Sequence, residues 1–84
     1  MADAEADYKA LFGEEDQRVV TSKDTKAAAD FAFKLLKTAK VNNDKKDLQI
    51  LLCEKAYDFG MKDPSGYQTA IDAMKLHIKA PIHQ

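Results

Sequence analysis

The sequence predicts an all-α fold: a small antiparallel helical bundle of three core helices plus an N-terminal helix. Three observations carry that prediction. Apolar residues recur at three- and four-residue spacing along most of the 84-residue chain, and no period-two alternation of strand length appears. Glycine and proline are scarce, at three and two, and Gly60 and Pro64 fall where helices would stop and start. A composition that is 45% hydrophobic and 32% charged is that of an ordinary globular chain rather than a disordered or membrane-embedded one.

The length gives one domain, residues 1–84, read as an acidic N-terminal segment (1–22), a helical core (24–79) and a tail (80–84). A chain this short buries only somewhat more than ~60% of the surface its unfolded form exposes. A protein partner or self-association, a homodimer included, is therefore expected to complete its core.

In the first segment Ala4, Tyr8, Leu11 and Phe12 share a stripe, and continuing the helix through Gly13 would add Val19. An interior glycine costs about 1 kcal/mol relative to alanine, so a continuous helix and a break near Gly13 both stand open. Ser22 or Asp24 supplies the cap of the next helix. There, over roughly 26–40, Ala28, Phe31, Ala32, Leu35 and Ala39 form the stripe, with Leu36 at its margin and Phe33 well off it. Asn42, Asn43 and Asp44 stop this helix and cap the one that follows.

The third segment has two apolar sides, Leu48, Leu52, Ala56 and Phe59 on one and Ile50, Cys53 and Tyr57 nearly opposite. Such a helix is sandwiched, which predicts that it is central, with the second and fourth segments packed against it, or that one of its sides meets another molecule. Phe33 and Ile50 should then be covered by the N-terminal segment or by a partner. Gly60 suits a left-handed residue after this helix, and Asp63-Pro64 supplies a cap and a first-turn proline for the last one. In that last helix Tyr67, Ala70, Ile71, Met74 and Ile78 fall within about 100° of one another, opposite Gln68, Asp72, Lys75 and Lys79. The expected core is Phe31, Leu35, Leu52, Phe59, Tyr67, Ile71 and Met74.

Thirteen basic against fourteen acidic residues give a net charge of -1, which removes any global electrostatic case for nucleic acid or an anionic membrane. A lone arginine, Arg18, is likewise a poor basis for bidentate phosphate or base recognition. The shape helix, glycine turn, helix over residues 54–74 is that of a DNA-reading motif. However, its second helix would present Ser65, Gln68, Thr69 and Asp72 with only Lys75 as a base. One cysteine forms no internal disulfide and is compatible with a reducing compartment. With no signal-like N-terminus and no long apolar run, a cytoplasmic location is expected, or excision of the chain from a longer protein.

No motif for chemistry emerges. His77 and His83 are six apart with Pro81 between, off the i, i+4 spacing that puts two imidazoles on one face. Cys53 sits in mid-helix, where a buried structural thiol is expected rather than a nucleophile. The acids Glu14, Glu15 and Asp16 and the run Asp44-Lys45-Lys46-Asp47 do not fit a calcium loop, which needs oxygen ligands where the lysines stand. Neither phosphate-binding glycine loop nor nucleophile elbow is present. The expectation is a non-enzymatic chain with no cofactor and no metal.

The stretch Ala32 to Met74 resembles a short TPR-like α-helical segment that recurs in large uncharacterised bacterial proteins. The likeness rests on Leu35-Leu36 with Ala39, Leu51-Leu52 with Ala56, the acidic cap Asp63 and Ala70-Ile71-Asp72. The chain holds one copy and lacks the tryptophan and the 34-residue repeat of true TPRs. The resemblance implies helical hairpins packed side by side, a unit that stacks by burying both faces of its helices, and carries no catalytic residue. The functional expectation is a non-catalytic helical protein-interaction or scaffolding module. Its candidate interface residues are Phe33, Ile50, Cys53 and Tyr57. The alternative is a small nucleic-acid-associated regulator that uses the lysine-rich body.

Overall fold

A computed structural model describes residues 3–79, which form four α-helices and no strand. The tail 80–84, with His83, and the first two residues of the acidic segment lie outside the described residues. The helices are α1 (Ala4–Ser22), α2 (Thr25–Lys40), α3 (Lys46–Gly60) and α4 (Tyr67–Lys79), with a 3-10 turn at Pro64–Gly66 leading into α4.

Capping chemistry sets most of the boundaries. Asp3 caps α1 by accepting from the Glu5 N–H at 3.1 Å. The helix then runs through Gly13 without a break, which settles that question, and ends at Lys23, the only described non-glycine residue with positive φ (58°). Asp24 caps α2, its carboxylate accepting from the Lys26 and Ala27 N–H groups at 3.0 and 3.3 Å. Ser22 serves the turn instead, donating to the Val19 carbonyl and accepting from the Asp24 N–H. Asp63 caps the 3-10 turn through the Ser65 N–H, with Pro64 in the first position as expected.

The polar run at 42–44 ends α2 but does not cap α3. Asn42 donates to the Thr38 carbonyl at 2.8 Å, whereas the N-cap of α3 is Lys45, which makes no side-chain bond there. Asn43 is occupied elsewhere, accepting at 2.9 Å from Nε2 of Gln49, and Gln49 also donates to the Ala39 carbonyl at 2.9 Å. Gln49 is thus a fully buried amide that ties the end of α2 to the start of α3. It lies beside the buried Leu48, on a helix whose apolar pattern alone gives no reason to expect it there.

α3 is central, packing against α1, α2 and α4, but of its second apolar side only Cys53 is buried, while Ile50 and Tyr57 face outward. Among the described residues α1 and α4 make no close backbone approach, so the α2–α3 pair lies between them. The inner layer buries Phe31, Leu35, Leu36, Leu48, Leu52, Ala56 and Phe59. α1 is held by an aromatic series: Tyr8, Phe12, Phe31 and Phe59 have successive ring centroids 5.8, 5.9 and 5.0 Å apart. The Tyr8 hydroxyl donates to Asp16 at 2.5 Å two turns along the same helix. Burial first, then that hydrogen bond and the charges of Asp16 and Glu15, hold the Tyr8 phenol neutral well above the usual tyrosine range. An exposed ion pair between Lys34 and Glu15 at 2.9 Å adds a weak tie from α2 to α1.

The last helix departs from expectation. Its inward side is Gly66, Thr69, Ala70 and Ala73, all buried, while Tyr67, Ile71, Met74 and Ile78 are 40–61% exposed. The reason is close approach. A Cβ on Gly66 would stand 2.6 Å from the Gly60 carbonyl oxygen and 2.9 Å from the Ala29 Cβ; one on Gly60 would stand 2.7 Å from the Gly66 oxygen. Gly60 is therefore not a left-handed terminator; it lies in α3 with negative φ, and its lack of a side chain lets the start of α4 touch the end of α3. The small-residue face wins the interior because it permits backbones to pack, and the large residues are turned out as a consequence. Thr25 closes the same corner, its hydroxyl donating to Asp63 at 2.7 Å.

Candidate interaction surface

Residues 50, 57 and 61 fall within about 40° of one another at the helical repeat, which gives the outer side of α3 a second apolar row: Ile50, Tyr57 and the capping residue Met61. Ile50 is half-buried, while Tyr57 and Met61 are 36% and 46% exposed. On α4 the residues Tyr67, Ile71, Met74 and Ile78 fall within about 60°. Tyr57 and Met74 line one groove of about 360 Å³ together with Cys53, Glu54, Asp58 and His77, so the two rows lie on the same side of the α3–α4 hairpin. The result is a two-helix apolar surface with a polar centre, where His77 Nε2 lies 3.9 Å from Glu54 Oε2.

Of the four residues expected at an interface, the structure joins Cys53 and Tyr57 in this groove and places Ile50 on the row of Tyr57. Cys53 itself is buried and contributes wall rather than contact area. Burial, and secondarily the charge of Glu54, push its thiol up to about 11, so it is a neutral thiol at pH 7. Phe33 stands apart. It is exposed on α2 and does not line the groove; the Lys37 ammonium sits 5.3 Å from its ring centroid. The N-terminal helix does not cover it: α1 puts Phe12 on Phe31 instead.

Sequence reasoning missed Met61, Tyr67, Ile71, Met74 and Ile78 as surface residues. The α4 stripe was legible, but its direction was not. The signal that would have found it is the spacing of small residues, Gly60, Gly66, Ala70 and Ala73, on the opposing sides of the hairpin.

Among the described residues no group of three or more His, Cys, Asp or Glu side chains could hold a metal ion, and no helix is long and apolar enough to cross a membrane. Besides Tyr8, the titratable group outside this surface with a distinct environment is Asp63. Hydrogen bonds from the Ser65 hydroxyl, the Thr25 hydroxyl and the Ser65 N–H, opposed slightly by desolvation, hold its carboxyl below the usual range, with Lys26 adding to the effect. That environment is structural, since all three donors belong to the caps of α2 and the 3-10 turn. Comparison of the chain with protein-family models, with curated proteins and with solved structures gives no match.

Proposed function

We propose that this chain is a non-catalytic helical interaction module and that the outer side of its α3–α4 hairpin is the surface that binds. One observation carries the reading: four large apolar residues of α4, each 40–61% exposed, stand in one row beside Tyr57 and Met61. Single exposed apolar residues are ordinary, but a row that spans a whole helix and continues onto its neighbour is the mark of a docking surface. The TPR-like resemblance points the same way, because hairpins of that kind stack through their outer faces. A cytoplasmic setting suits a chain with one buried cysteine.

The nucleic-acid alternative draws less support. Thr69 is buried, Gln68 donates to Asp72 at 3.1 Å and Ser65 is bound to Asp63, so those four polar side chains are already engaged and of that set only Lys75 is left to meet a phosphate. A photo-crosslinking amino acid at position 71, introduced in the cell of origin, tests the proposal against the same group at Val20, an exposed site on α1. Protein crosslinks are expected from position 71 and not from position 20. Equal crosslinking from both, or none from 71, would reject the α3–α4 surface.

A further inference from the structure

We propose that the occupant of this surface is an amphipathic helix of a partner protein, apolar along one seam and carrying lysine or arginine beside it where it meets Glu54 and Asp58. The inference rests on the α3–α4 side being an interaction surface and goes further by stating the chemistry of what binds there.

The spacing of the two rows calls for a helix. Tyr67, Ile71, Met74 and Ile78 follow one another at intervals of four, three and four residues, and so do Ile50, Glu54, Tyr57 and Met61. That is the heptad spacing of a coiled-coil seam, in which a facing helix sets its side chains between those of the rows. From Tyr67 to Ile78 the row runs about 16 Å at the helical rise, room for about three turns of an incoming helix.

The charge on the surface selects which helix. Glu54 is an acid within the seam spacing itself and Asp58 lies one turn further along; both are exposed, and both line the groove that Tyr57 and Met74 share. Neither meets a lysine or arginine within ion-pair distance among the described residues, and Glu54 has only the His77 imidazole, at 3.9 Å. The nearby bases are turned elsewhere. Lys46 and Lys55 of α3, and Lys62 just after it, line clefts shared with α1, while Lys75 of α4 stands one turn from Asp72 and lines no part of the groove. Asp58 also stands in the last turn of α3, which holds no basic residue, so its charge opposes the negative end of the helix dipole. That placement is unfavourable in the free chain and becomes favourable when a partner brings a cation. An acidic helix with the same seam would be repelled at both positions.

Two fluorescein-labelled peptides of about 20 residues test the proposal. Both carry leucine at the a and d positions of a heptad; the positions flanking that seam are lysine in one and glutamate in the other. In anisotropy titrations against the full chain at physiological salt, the lysine peptide is expected to bind at least about tenfold more tightly than the glutamate peptide. Glu54→Lys combined with Asp58→Lys should reverse that order. Glu5→Lys combined with Glu14→Lys, at two exposed acids of α1, changes the net charge equally and should leave it in place. Asp58→Lys alone should melt no lower than the wild type, because it removes the acid from the last turn of α3. Peptides that bind alike or not at all, a preference that survives in the Glu54 and Asp58 double variant, or one abolished equally by the α1 pair would each overturn the basic helix. So would an Asp58→Lys chain that melts well below the wild type, or a chain that alone forms a dimer broken by Ile71→Ala, which would give the face to a second copy. A protein crosslink from position 71 alongside any of these results leaves the interaction surface standing; no crosslink and no peptide binding overturns both.

Discussion

α2 and α4 each carry an amphipathic pattern with one clear apolar stripe, yet one stripe faces inward and the other outward. In α2 the stripe built on Phe31 and Leu35 is the core. In α4 the stripe built on Ile71 and Met74 is left 40–48% exposed on the outer side, and the interior is given to Thr69, Ala70 and Ala73. What separates them is the partner surface. α2 meets Leu52 and Phe59 across a gap that large side chains fill, whereas the turn that leads into α4 presses Gly66 on Gly60 and Ala29 so closely that no side chain fits between. Hydrophobicity decides that a face will be buried against something. Shape decides which face is buried within the chain.

That contrast can be broken first at the large-residue side. Leu52 is fully buried on the inner side of α3, and Leu52→Ala should lower unfolding free energy by ~2 to 5 kcal/mol, measured by urea denaturation. The small-residue side is broken by Gly66→Val, whose Cβ would meet the Gly60 oxygen at 2.6 Å. Backbone must move to admit it, and a loss of about 3 kcal/mol is expected. Gly13 sharpens the point as a glycine that nothing crowds. A Cβ there would meet only the Lys9 side chain, at 3.7 Å, inside a continuous helix. Gly13→Ala should therefore stabilise the fold by about 1 kcal/mol.

A further effect is one of pH, and it reads the depth of the α3–α4 junction. The thiol of Cys53 is raised from its ordinary value to about 11 in the folded chain, so the folded state holds a proton that the unfolded state releases. Its contribution to stability is fully present below the ordinary thiol pKa of about 8.5 and is lost as pH rises toward the folded value. Tyr8, also raised, acts in the same direction at higher pH. Cys53→Ala should flatten the fall in melting temperature between about pH 8.5 and pH 11 relative to the wild type.

Much of the architecture is legible in the sequence. The central place of α3 followed from its two apolar sides, the start of the last helix from Asp63-Pro64, and the inner core from Phe31, Leu35, Leu52 and Phe59. The reversal of α4 was not legible, because a helical wheel weighs large side chains and is nearly blind to a row of alanine and glycine. Gly60 showed the same ambiguity: a glycine at a helix end serves either a left-handed turn or a close approach, and only the neighbouring backbone tells which. Gln49 was missed because its burial depends on two acceptors, the Ala39 carbonyl and Asn43, that are brought together only by the fold. Of the candidate surface, Ile50 and Tyr57 were identified from the second apolar side of α3, while Phe33 belongs to a different part of the surface.

The central claim is that Tyr67, Ile71, Met74 and Ile78 are not needed to fold the chain. It is tested most directly by the thermal melt of the double variant Ile71→Ala, Met74→Ala, in which the helix propensity of alanine offsets part of the lost contact, at a concentration where sedimentation finds the wild type monomeric. The account predicts a melting temperature within about 4 °C of the wild type, the shift expected for less than ~1 kcal/mol in a domain of this size. A fall of about 10 °C or more would mean that the α4 stripe belongs to the core of the monomer and would contradict the account.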